Sequence, residues 1–130
     1  MIVLDSSAAV DYLVRLRSGD WVAEQILRDD DLHAPHLFDV EVVNVLRRLA
    51  RSHLVPVREC REAVEDLLAL DLARYPHGPF LARIWELRNG LTAYDAAFVA
   101  LSEALDATLV TTDVRLARTA RRFVRVAVPA

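Results

Sequence analysis

The chain has 130 residues, of which 54% are hydrophobic, with a single cysteine and a formal net charge of −3. Such a length buries one sizeable core without staples and reads as a single domain over residues 1–130, while the lone Cys60 excludes a disulfide framework or a cysteine zinc site. The negative balance excludes nucleic-acid binding by bulk charge, so any such contact is local, and the absence of lysine excludes a P-loop, Schiff-base chemistry and a phosphoaspartate receiver.

Met1 to Leu4 is a short apolar, β-branched run that ends at Asp5, followed by Ser6, Ser7 and a helical pattern from Ala8 to Leu16. This predicts a strand, an acid at its exit, and a helix that Ser7 caps unless it supports the carboxylate. Met-Ile-Val-Leu-Asp at the start carries no basic region or signal-length apolar run and no stretch reaches membrane-spanning length, so a cytoplasmic protein without membrane contact is expected. Ser18-Gly19-Asp20 closes the first helix, and Trp21 to Leu27 forms another that ends in the solvated acidic turn Asp29-Asp30-Asp31. Leu32 to Ala34 reads as a strand before Pro35, with His33 and His36 as loop or edge residues.

Leu37 to Ser52 is strongly amphipathic and predicts a helix with Glu41 on the flank of its apolar stripe. Taken alone, Glu41 is as well explained by an internal ion pair with Arg48. After Val55-Pro56, Val57 to Leu70 forms a helix with a charged wet side. A short strand from Asp71 to Arg74 and a turn lead to the helix Phe80 to Arg88, which stops at Asn89-Gly90.

The stretch Leu91 to Asp113 is the most informative. Thr92-Ala-Tyr-Asp95 fits a capping box ahead of an alanine-rich helix with Glu103 as its only other charge. Asp95 alone is a helix cap, yet a carboxylate beside so apolar a surface needs a hydrogen bond, a cation or a metal. Thr108 to Thr112 reads as a buried strand, and Asp113 stands at its carboxyl end, where it also caps the helix Val114 to Arg122. Arg115, Arg118, Arg121 and Arg122 lie on that helix, either as a solvated face or as contacts for phosphates or an acidic partner; Phe123 to Val128 is a last strand.

Strands alternating with helices predict a three-layer α/β/α domain with a mostly parallel central sheet. In such a sheet Asp5, Asp95, Asp113 and Glu41 can converge at the carboxyl edge. Four acids that close need a cation, and an all-oxygen cluster suits Mg²⁺ or Mn²⁺. The chemistry that follows is metal-dependent phosphodiester hydrolysis.

MIVLDSSAAVDYL at the start, EVVNVLRRL around Glu41, LTAYDAAFVALSEAL around Asp95 and LVTTDVRLA around Asp113 together resemble the PIN-domain ribonucleases. The match is nearest to the VapC-type toxins of toxin–antitoxin modules. The resemblance spans the chain in order and spacing, and implies a PIN-like fold and a Mg²⁺- or Mn²⁺-dependent endoribonuclease. It further implies a homodimer held inactive by a cognate VapB-type antitoxin. It carries the catalytic and metal site onto Asp5, Glu41, Asp95 and Asp113. By that resemblance Asp5 and Asp95 would be the direct ligands, Glu41 and Asp113 would hold waters or a second metal or orient the attacking water, and Ser7 would support them. Val40 stands where family members often carry a small polar residue. The competing readings are a PIN-like module that binds RNA or protein without cutting, and a metal phosphohydrolase acting on DNA or a small phosphate ester.

Overall fold

The computed structural model describes the whole chain, residues 1–130. Five strands, β1 (Ile2–Leu4), β2 (Leu32–Pro35), β3 (Leu72–Tyr75), β4 (Thr108–Val110) and β5 (Val126–Ala127), form one sheet in the order β3-β2-β1-β4-β5. Every pair is parallel. Seven helices connect them: α1 (Ser6–Leu13), α2 (Gly19–Arg28), α3 (Leu37–Arg51), α4 (Val57–Ala69), α5 (Leu81–Glu86), α6 (Ala93–Leu105) and α7 (Val114–Ala120). The result is the expected α/β/α arrangement.

The strand order reverses at β1. The chain travels outward through β2 and β3, then returns to the other side of β1 with β4 and β5. A crevice opens outside the carboxyl ends of strands at such a reversal, because the connections leave in opposite directions. β1 pairs with β4 from Ile2–Thr108 to Leu4–Val110, so the residues just after Leu4 and Val110 emerge side by side.

Parallel strands covered on both faces read as apolar runs, and Val3, Leu4, Leu109 and Val110 are all fully enclosed. α6 packs on β1, β2 and β4, and every residue from Ala96 to Ser102 is buried. This explains its lack of a wet face: a helix that is apolar all round is a core helix. No helix is long and apolar enough to cross a membrane.

Several boundaries differ from expectation. α1 ends at Leu13 rather than Leu16, because the chain reverses through Arg15 in the left-handed region at φ 55°. α2 begins at Gly19, where a Cβ would stand 2.5 Å from the Asp11 carbonyl oxygen; only glycine permits that approach between α1 and α2. The expected helix from Phe80 is regular only over Leu81–Glu86, and the last strand only over Val126–Ala127. His33 is no loop or edge residue. It lies buried in the interior strand β2, where its ring bonds the Tyr75 hydroxyl at 2.6 Å and Asp31 at 2.8 Å. The acidic turn is a helix end as expected, with Asp29 meeting the Met1 amino group at 2.6 Å.

Candidate active site

Asp5 follows β1 directly, and its backbone N–H donates to the Val110 carbonyl at 2.9 Å, which locks it against the end of β4. It stands at the cap position of α1, but its side chain does not cap that helix. Instead Asp5 Oδ2 accepts from Ser7 Oγ at 2.6 Å and from Thr111 Oγ1 at 2.8 Å. Asp5 is 6% exposed. Burial raises its pKa above the ordinary carboxylate value; the hydroxyls oppose that shift and the nearby Asp113 charge adds to it.

The hydroxyls also tie the two strand exits together. Thr111 is fully buried and its Oγ1 accepts from the Asp113 N–H at 3.0 Å, while Ser7 Oγ accepts from the Thr112 N–H at 3.2 Å. Each strand-end acid is thus carried on a short polar turn whose backbone is satisfied locally.

Glu41 projects from the second turn of α3, where Ser6 Oγ donates to its Oε1 at 2.8 Å. Burial raises its pKa, and the Asp5 and Asp95 charges push it further. The alternative ion pair with Arg48 is not formed, although Arg48 lines the same cavity. Asp39, two residues earlier, faces elsewhere and pairs with Arg74 at 2.7 Å.

Asp95 is the third residue of α6, and its N–H donates to Thr92 Oγ1 at 3.2 Å, so the predicted cap exists. The Asp95 carboxyl is half-buried; burial raises its pKa, Asp5 and Asp113 reinforce the shift, and Arg115 opposes it. Asp113 is exposed and caps α7, its Oδ1 accepting from the Arg115 and Leu116 N–H groups at 2.9 and 3.2 Å. Asp113 both caps α7 and lines the cavity, whereas at Asp95 the cap is the Thr92 hydroxyl and the carboxyl itself is left for the cavity.

All four acids line one cavity of about 190 Å³, together with Ser6, Ser7, Asn44, Val45 and Arg48. No three of them stand as a ready-made coordination shell. The hydroxyl and helix-cap bonds converge on a single oxygen of Asp5, Glu41 and Asp113. What faces the cavity is an all-oxygen set of mutually repelling carboxylates. That donor chemistry fits a hard divalent cation, which would relieve the repulsion, and does not fit zinc.

Sequence reasoning named Ser7 but missed Ser6 and Thr111 as supports. A signal was present: hydroxyl residues flank each strand-exit acid, as Asp5-Ser6-Ser7 and Thr111-Thr112-Asp113.

A family model described as PIN domain matches residues 2–122. Ribonuclease VapC9 of Mycobacterium tuberculosis is 44% identical over 119 residues, covering 92% of this chain and 91% of the relative. Ribonuclease VapC12 of the same organism is 42% identical over 118 residues and 91% of each chain. Among solved structures, VapBC2 from Rickettsia felis, bound to a DNA fragment from its promoter, aligns over 100% of both chains with a TM-score of 0.71 and 14% identity. The sarcin–ricin-loop-cleaving toxin VapC20 of M. tuberculosis aligns over 97% of this chain and 98% of its own, with a TM-score of 0.70 and 15% identity.

Proposed function

The chain belongs to the PIN-domain family, among its VapC-type members, and from that premise we propose that it is the toxin of a VapBC-type module, a metal-dependent endoribonuclease. The observation that carries the chemistry is the convergence of Asp5, Glu41, Asp95 and Asp113 on one cavity at the strand-order reversal. The relatives named as ribonucleases favour RNA over DNA or a small phosphate ester.

When bound, a Mg²⁺ or Mn²⁺ ion would polarise a phosphate oxygen and acidify a water. Asp5 and Asp95 would hold it. Asp5 is the better anchored, since Ser7 and Thr111 fix its rotamer and leave it few alternative positions. Glu41 and Asp113 would hold waters or a second ion. Glu41 suits the task of accepting the attacking water's proton, because burial and neighbouring charge raise its proton affinity toward the working pH. Ser6 keeps its carboxylate aimed by occupying Oε1.

The partner is a VapB-type antitoxin, a reading supported by the VapBC2 structural neighbour. A homodimer fits the exposed Leu81, Trp85 and Tyr94, and the single domain 1–130 fits the one continuous core. The cytoplasm is the compartment that supplies RNA and keeps Cys60 reduced.

The test is digestion of total RNA by the purified chain in Mg²⁺ or Mn²⁺, beside EDTA, Asp5→Ala and Asp95→Ala controls, with new ends mapped by sequencing. Discrete cuts that need metal and vanish in both variants are expected. Wild-type protein, freed of any partner, that binds metal and RNA yet never cuts would leave a binding module instead.

A further inference from the structure

α7 runs from the acidic site toward the opposite edge of the sheet, where the chain enters a second cavity, of about 550 Å³. Arg121, Arg122, Phe123 and Arg125 line it, with Glu103 and Asp106. From Val114 onward the chain carries five arginines and no acid, in a protein whose overall balance is negative. We propose that this cavity is an RNA-binding exosite, which takes phosphates and an unpaired base of a single-stranded segment running along α7 from the acidic site. The identity of the ligand rests on the nuclease reading above.

Three observations carry it. The two acids of the cavity are already neutralised. Arg83 grips both carboxylate oxygens of Glu103, at 2.8 and 2.9 Å, and Arg125 holds the Asp106 side chain at 3.1 Å and its carbonyl at 2.6 Å. Arg121 and Arg122 are exposed and form no ion pair, which leaves the cavity with uncompensated positive charge. Such guanidinium groups suit phosphate oxygens.

Next, the cavity is joined to the acids. Arg115 and Arg118 lie on α7 and Arg122 follows in the turn just past its end, all three exposed and outside any ion pair. Arg115 starts at the Asp113 cap, and seven residues of helix cover about 10 Å, the reach of a few nucleotides. Finally, Phe123 is 40% exposed at the cavity wall, with the Arg83 guanidinium 5.7 Å from its ring centroid. An aromatic face amid arginines is a stacking platform for a splayed base, which an acidic peptide would not need.

The experiment is fluorescence anisotropy of a labelled, mixed-sequence single-stranded RNA of about 20 nucleotides, longer than one strand-binding site, in EDTA across a salt series. Wild type is compared with Arg121→Gln/Arg122→Gln and Phe123→Leu, with circular dichroism melts to show that each variant folds. The double variant should weaken binding about tenfold and flatten the log affinity against log salt slope by about 1.4, near 0.7 per arginine. Phe123→Leu should lower affinity and leave the slope unchanged. In Mg²⁺, the double variant should raise KM for cleavage and spare kcat.

Wild type that does not bind the RNA, or variants that bind it like wild type, overturn the exosite even if the protein cuts RNA. With a labelled polyglutamate peptide as a second probe in the same assay, variants that lose peptide binding but keep RNA binding overturn it in favour of a protein-docking surface. RNA bound through these arginines by a wild-type chain that never cuts would uphold the exosite and overturn the nuclease reading.

Discussion

Thr111→Val removes one hydroxyl from the most enclosed part of the site and changes almost nothing else. Valine matches threonine in shape, so no cavity opens around this fully buried position. The substitution removes the 2.8 Å donation to Asp5, the 3.0 Å acceptance from the Asp113 N–H and the 3.2 Å contact with Ser7 Oγ. A hydrogen bond to a charged group contributes about 1.5–3 kcal/mol and an orphaned N–H costs about 1 kcal/mol, so the substitution should destabilise by about 2.5–4 kcal/mol. For a domain of this size that is a fall in Tm of roughly 10 °C.

The loss should also depend on pH, with a definite sign. Thr111 lowers the Asp5 pKa against the dominant effect of burial, so its removal raises the folded-state value further above the unfolded one. The added penalty is full where Asp5 is ionised in both states and fades as pH falls through the folded pKa, because the folded carboxyl then takes up its proton. Urea denaturation at pH 8 and pH 5, with Asp5→Asn as the second arm of a double-mutant cycle, measures both effects. A loss below about 0.5 kcal/mol, equal at both pH values and additive with Asp5→Asn, would show that Oγ1 does not sustain the Asp5 carboxylate.

Three further outcomes follow from the same geometry. Mn²⁺ at about one hundred times its dissociation constant should stabilise the folded chain by about 2.7 kcal/mol, read as a Tm rise in differential scanning fluorimetry that EDTA reverses and Asp5→Asn abolishes. Burial, reinforced by mutual repulsion, raises the pKa of Asp5, Glu41 and Asp95. The metal-free protein should therefore gain stability as pH falls from neutral through the folded values, the gain being complete below the unfolded values near 4; denaturant titrations at stepped pH would record it, and stability falling over that window would contradict it. Gly19→Ala drives a Cβ against the Asp11 carbonyl and should destabilise by about 1–3 kcal/mol by chemical denaturation, with little change in activity because neither residue lines the acidic cavity.

The parts of the site that were legible from sequence are those fixed by neighbours in the chain. Asp5 and Asp113 end apolar runs, Thr92 sits three residues before Asp95, and Glu41 flanks the apolar stripe of its helix. What stayed hidden depends on residues far apart. Ser6 meets Glu41 across 35 residues and His33 meets Tyr75 across 42, separations at which periodicity carries no information. Thr111 lay inside the predicted strand, but which face it presents is set by pairing with β1, not by its neighbours. Helix ends were displaced for a similar reason: Gly19 enters α2 early because α1 is pressed against it, whereas local composition made it a stop.

The bond between Thr111 and Asp5 spans 106 residues, and it closes between strands that pair in parallel. No local hairpin can pre-form it, so the entropy of closing nearly the whole chain is met before either strand gains the other. During synthesis the fifth residue waits, its sheet lacking one neighbour, until β4 and the turn beyond it have been made. A polypeptide cut short before Thr108 lacks an acid of the cavity as well as the strand that positions Asp5. The cavity that gathers the four acids is therefore completed only late, once nearly the whole chain has been made.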